Sequence, residues 1–255
     1  LFWRDNTGFD WENDVEKARF LQSFHEICVL NYAIAFEQLL DHQFISSDRA
    51  LQKCVFESGT EVIVNFADEP MSYENKTIAG RGFYAEGPGI FQSREVIDDK
   101  VVTQISGKDY FRAACDGPAK IGAVEISGGT ATIFKLDENQ WNIMLQNCQI
   151  CKVELDKITG LNPDQVRVFL LDKRGEKLRE AEYKIEGQKI VLNGGNDFDV
   201  FAVVSGIAPD NVIILPGKED ISVGEEITLS IKSQDKKITY TADGTDPDIN
   251  SALYK

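Results

Sequence analysis

Apolar positions recur every three or four residues in one stretch of the chain, "DWENDVEKARFLQSFHEICVLNYAIAFEQLLDHQF", at Phe20, Phe24, Ile27, Leu30, Ile34 and Ala35. That period lays an apolar stripe along one side of an α-helix. Asp10 suits the N-cap, and Glu12 and Asp14 put negative charge in the first turn, where the helix dipole favours it. The pattern predicts a helical segment within residues 1–50, as one helix or as two joined near Ile27–Asn31. A helix cannot bury its own stripe. Phe20, Phe24, Ile27, Ile34 and Leu39 therefore need the sheet that follows, a domain outside the chain, or a second copy of it. Either self-association through this segment or a poorly ordered N-terminal segment is expected.

From Leu51 the period changes to two. "QKCVFES" and "EVIVNFAD" flank Ser58-Gly59-Thr60, a hairpin signal. Runs such as "GIFQSREVI", "VVTQIS", "TATIFKLD" and "WNIMLQNCQICKVEL" follow, separated by "EGPG", "SGKD" and "SGGT". No helical period intervenes, which predicts an antiparallel sandwich over 51–156 instead of βαβ units. A small β-module is expected over 157–207, from "VRVFLLDKRGEKL", "AEYKIEGQKIVLN" and "DFDVFAVVSG". Pro209, Pro216 and Gly217 mark a boundary, and 208–255 reads as a further, partial β-module. There "EEITLSIKS" and "KKITYTAD" alternate like paired strands, and "DGTDPD" is a tight turn. The expected fold class is mainly β: antiparallel β-sandwich modules preceded by an N-terminal helical segment.

Composition narrows the partners. Forty-two acids against 27 bases give a net charge of -15, with no basic run. That argues against nucleic acid, which needs clustered Lys and Arg. No apolar run reaches the roughly 18 residues of a membrane helix, so no membrane insertion is expected. The five cysteines, Cys28, Cys54, Cys115, Cys148 and Cys151, are odd in number and scattered, unlike a disulfide framework. "CQIC" lies in an alternating run, where positions i and i+3 point to opposite faces. Cys148 and Cys151 are thus expected to be buried, apart, and not metal ligands.

The tail, "ITYTADGTDPDINSALY", resembles the chitobiase/β-hexosaminidase C-terminal domain, at Tyr240, Thr241, Asp243, Gly244, Thr245, Pro247, Ser251, Leu253 and Tyr254. The resemblance covers about the last 40 residues. It implies an immunoglobulin-like accessory module on a secreted bacterial carbohydrate-active enzyme, with its last strands lying beyond Lys255. "LLDHQFISSDRALQKCVFESGTEVIVNFADEP" is similar to the barrel exit of endo-α-N-acetylgalactosaminidase-type glycoside hydrolases, at His42, Phe44, Ile45, Ser46, Asp48, Phe56, Gly59, Val62, Val64, Asn65 and Phe66. That likeness implies that residues 1–50 are the tail of a catalytic barrel, with the catalytic carboxylates upstream. No catalytic residue is assigned in this chain.

A glycosidase site needs two carboxylates flanking the scissile bond. The best local cluster is Asp5, Asp10 and Glu12 beside Trp3 and Trp11, which also reads as an ordinary acidic helix start. Trp3, Trp11 and Trp141 are the candidate sugar-stacking residues, with Tyr84, Phe91 and Tyr110 as further aromatics that strand alternation could expose. His25 and His42 carry no ligand spacing. Asp243, Asp246 and Asp248 crowd one turn but lack the bidentate Glu of a calcium loop. No metal and no cofactor is expected. Two functional readings stand. One is the non-catalytic C-terminal accessory region of a secreted, periplasmic or cell-surface glycoside hydrolase, meeting a glycan through the parent enzyme. The other is a free-standing carbohydrate-binding or adhesion module.

Overall fold

The computed structural model describes residues 20, 24, 27–172, 175, 177–195 and 198–205, together with the backbone of 213–215, 230–232, 238–240 and 252–254. Strands make up 58% and helix 10%, so antiparallel sheets carry the fold, as the period-two pattern requires. Among the described residues beyond Leu51, helix is limited to Leu155–Thr159 and a single 3-10 turn at Pro163–Gln165. The chain divides into two compact units, Leu1–Thr132 and Ile133–Lys255.

In the first unit residues 20, 24 and 27–34 are helical. Its strands are β1 (Leu39–Phe44), β2 (Leu51–Phe56), β3 (Glu61–Asn65), β4 (Met71–Tyr73), β5 (Lys76–Ile78), β6 (Phe83–Gly87), β7 (Ile90–Ile97), β8 (Lys100–Gly107), β9 (Tyr110–Cys115), β10 (Ala119–Ile121) and β11 (Val124–Ile126). Neighbours pair in the order β1-β2-β3-β6-β7-β8-β9. The β4–β5 hairpin joins β7 through Ile78 and Glu95, and β10 pairs with β11. Strand β12 (Gly129–Lys135) carries the chain into the second unit.

The helical reading ends too late. Leu39–Phe44, predicted within the helical segment, is a strand that pairs antiparallel with β2. The connection explains it. Ser46 Oγ donates to Asp48, Asp48 Oδ1 accepts from the Ala50 N–H at 3.0 Å, and Ser46 Oγ accepts from the Leu51 N–H at 2.9 Å. Short polar side chains bonding nearby backbone favour a turn over continued helix. That turn places Leu39–Phe44 beside β2. The next turn falls where the pattern puts it, with Gly59 at φ 84°, a left-handed conformation that suits glycine.

Asn65 pins the following corner. Its buried side chain donates to the Glu69 and Ala79 carbonyls at 2.9 and 3.0 Å and accepts from the Ala67 N–H at 2.9 Å. Gly80 sits against that corner so closely that a Cβ would lie 1.7 Å from the Asp68 carbonyl oxygen. A core of Leu51, Ile63, Ile78 and Tyr84 packs beside it, with Phe91 edge-on to Tyr84 at 5.5 Å.

Register sorts the side chains of this sheet into two faces, because residues directly opposite one another share a face. One row runs Cys54, Val62, Ala85, Gln92, Ile105, Arg112. Arg94, Thr103 and Ala114 form a second row on that face. The other face carries Lys53, Ile63, Tyr84, Ser93, Gln104 and Ala113. It also carries Glu61 opposite Glu86, and Glu95 opposite Val102.

The second unit contains β13 (Gln140–Gln146), β14 (Ile150–Glu154), helix α1 (Leu155–Thr159), β15 (Val166–Leu171), β16 (Lys177–Glu180), β17 (Tyr183–Glu186), β18 (Lys189–Asn193) and β19 (Phe198–Ser205). Two sets of neighbours form, β13-β19-β15-β16 and β14-β18-β17. Pairing of β13, β19 and β15 lines up Trp141, Val203 and Val168 in one row and Ile143, Phe201 and Leu170 in the next. On the other face of β15 and β19, Phe169, Leu171, Ala202 and Val204 form a second apolar cluster. Beyond Ser205, Ile213–Leu215 pairs with Ser230–Lys232, and Ile238–Tyr240 pairs with Ala252–Tyr254. The two runs expected to pair with each other there each take a different partner.

Candidate binding surface

Trp3, Trp11, Asp5, Asp10, Glu12 and His25 lie outside the described residues, as do Asp243, Asp246 and Asp248. Trp141 is 5% exposed. Alternation along β13 puts it on the face of Ile143 and Leu145, both buried, so its ring belongs to the core and is not offered to a sugar. Tyr84 is also core. Burial, followed by the hydrogen bond to the Glu86 carboxylate, pushes its phenol pKa upward. Phe91 and Tyr110 are half-buried. His42 is exposed, 3.0 Å from Gln52 Oε1 and edge-on to Phe44. Among the described residues, no three of His, Cys, Asp and Glu are grouped to hold a metal.

The two cysteines of "CQIC" are both buried, but they are not held apart. The Cys148 and Cys151 thiols are in hydrogen-bond contact, and that contact, followed by burial, raises the Cys151 pKa well above the ordinary thiol value. Alternation fails here because Cys148 precedes β14. Asn147 takes a left-handed φ of 52° that turns the chain between β13 and β14. A turn residue obeys no two-residue period. The Cys148 Sγ also donates to the Ile150 carbonyl at 3.3 Å.

The polar feature that sequence reading missed is on the β3–β9 sheet. All three glutamates of the register rows, Glu61, Glu86 and Glu95, fall on one face. The opposite face, with Gln92, Arg94, Thr103 and Arg112, bears no carboxylate in those rows. Gln92 and Thr103 are buried, and both arginines are half-buried. The Nε of Arg94 and the Nε of Arg112 are enclosed and have no hydrogen-bond partner. Arg112 Nη1 donates to Thr132 Oγ1 at 3.3 Å. Among the described residues neither arginine forms an ion pair. Both are half-buried cations on a face whose register rows carry no carboxylate.

The signal that could have found this surface is the polar–apolar alternation of "FQSREVI" and "YFRAAC". Alternation alone does not say which strand of one run meets which strand of the next. Comparison of the chain with protein-family models, curated proteins and solved structures finds no match.

Proposed function

We propose that the chain is a glycan-facing β-module without its own catalytic machinery, an accessory region of a secreted bacterial glycoside hydrolase. The structural observation that supports it is the pair Arg94 and Arg112, half-buried donors on rigid antiparallel strands, on the face away from Glu61, Glu86 and Glu95. Rigid strands fix donor positions more tightly than loops do, and sugar recognition rests on fixed donors. The resemblances at 39–70 and 238–254 add the accessory setting. A free-standing carbohydrate-binding module uses the same face and differs only in lacking an enzyme partner.

Binding and hydrolysis assays on the intact chain test the reading. Oligosaccharides should bind without being cleaved, and aryl glycosides should show no turnover above buffer. Turnover that is lost on changing Asp5 or Glu12 to Ala would replace the accessory role by a catalytic one. Failure to bind any neutral or acidic oligosaccharide would remove the glycan-binding role itself.

A further inference from the structure

We propose that Cys148 and Cys151 are a modification site: by thiol–disulfide exchange they close into an internal disulfide that staples the turn between β13 and β14. The inference does not depend on the glycan-binding reading, since it concerns two side chains inside the second unit.

The two thiols are already neighbours. Both side chains are fully buried, and their sulfurs are in hydrogen-bond contact. Cys148 directs its own S–H at the Ile150 carbonyl, 3.3 Å away. It therefore meets Cys151 with its lone pairs, and Cys151 supplies the proton of the contact. Asn147, at φ 52°, turns the chain just before Cys148 and brings the two cysteines of "CQIC" to one side. Neighbouring backbone holds the arrangement. Cys151 is opposite Leu192 in the β14–β18 ladder. The Gly194 N–H donates to the Gln149 carbonyl at 3.0 Å, and a Cβ on Gly194 would collide with the Cys148 carbonyl. The pair is thus fixed from both sides, with the sulfurs facing each other.

The chemistry balances in two displacements, with a small-molecule disulfide such as oxidised glutathione as the oxidant. The Cys148 thiolate attacks one sulfur of the reagent, forms a mixed disulfide and releases one small thiolate. The Cys151 thiolate then attacks the Cys148 sulfur, forms the internal bond and releases the second. Two electrons pass to the reagent, and the two protons lost by the cysteines end on the released thiols. Cys148 is the entry sulfur. It is flanked by exposed Gln146, Asn147, Gln149 and Ile150, so a local opening of the turn uncovers it, whereas Cys151 is held in a strand ladder. No open pocket is required. In an oxidising compartment the bond also forms while the chain folds, as the turn brings the sulfurs together. The bridge has a place to act. At this turn the chain passes from the β13-β19-β15-β16 set to the β14-β18-β17 set, and a covalent link there holds the crossing.

The unmodified chain gives the first test, which does not depend on variants folding. Reduced protein is equilibrated with oxidised glutathione, quenched in acid, alkylated and digested with trypsin. Cleavage after Lys135 and Lys152 isolates the peptide Leu136–Lys152, which holds Cys148 and Cys151 and no other cysteine. That peptide should lose the mass of two hydrogens and escape alkylation, and dithiothreitol should reverse both changes. A peptide that stays fully alkylated, or that carries glutathione on both cysteines, overturns the disulfide. Cys151→Ser should stop at the mixed disulfide, with glutathione on Cys148, and a Cys148 that remains alkylatable there overturns its role as the entry sulfur. The thermal midpoint of the oxidised chain should lie a few degrees above that of the reduced chain, because the cross-link restricts the unfolded state. The same shift should be absent from Cys148→Ser. An unchanged or lowered midpoint, or a shift that persists in Cys148→Ser, overturns the staple.

Discussion

Single side chains decide how this fold responds to pH. Tyr84 lies in the core of the first unit, its hydroxyl bonded to the Glu86 carboxylate. Burial is the larger cause of its raised pKa and the neighbouring carboxylate the second, since both disfavour a phenolate. The ordinary value is 10.0. Above that pH an unfolded chain releases the proton while the folded chain keeps it. The stabilisation is therefore complete below the ordinary value and is lost as pH rises towards the raised one. Urea midpoints measured from about pH 9 to about pH 11 should fall more steeply for the native protein than for Tyr84→Phe. Identical slopes would mean that the phenol meets no such environment. The same residue shows what sequence could reveal at this scale. Alternation in "GFYAEG" marks Tyr84 as a strand residue, but its inward direction depends on the partner strands. Cys148 shows the opposite case: its strand-like neighbourhood hides a turn set by Asn147.

Elements were legible where a local turn signal and a hydrophobic period agreed. The Ser58-Gly59-Thr60 turn between β2 and β3 is one such case, and the absence of helical period across β6 to β9 is another. They were misread where two periods fit one run. "LLDHQF" continues the three-and-four spacing of the segment before it, and only the Ser46–Asp48 turn converts it into β1. That outcome changes where self-association is expected. Among the described residues β1 is bonded on one side only, to β2, and all six of its residues are exposed. An open strand edge is a template for another chain. Two copies of β1 paired antiparallel, edge to edge, would bring their exposed Leu39, Leu40 and Phe44 side chains into one isologous apolar contact. Phe24, Ile27, Tyr32 and Phe36 of the preceding segment are also exposed and would extend the buried patch. Sedimentation velocity should show a concentration-dependent dimer. The double change Leu39→Lys and Phe44→Lys should abolish it, because lysine blunts an edge. A monomer at every concentration would show that this edge stays open.

At the scale of the whole molecule, the candidate surface was illegible for a topological reason. Arg112 joins Gln92 and Cys54 in one row only after the β4–β5 hairpin has been set aside and β6 has been placed beside β3. No spacing rule along the chain encodes that order. Net charge, by contrast, is read directly, and it carries a stability consequence. With a charge of -15, repulsion among acids acts against the compact state. Attractive pairs oppose it weakly. Arg81–Asp68 is largely exposed, and Lys135–Glu138 and Lys152–Glu186 each include a carboxylate at least half exposed. Exposed pairs contribute about 0–1 kcal/mol each. Salt weakens repulsion and attraction alike, shortening the screening length from roughly 10 Å at 0.1 M to roughly 3 Å at 1 M. The repulsive side involves many unpaired acids, whereas the attractive side rests on a few short contacts that screening reaches least. Screening therefore favours the folded state here. Sodium chloride raised from about 0.05 M to about 0.5 M should lift the thermal midpoint by a few degrees. Chloride is the better choice for this test, because sulfate strengthens apolar burial by exclusion. A midpoint that falls with chloride would mean that the ion pairs outweigh the repulsion, and that the excess acids are spread far enough apart to be harmless.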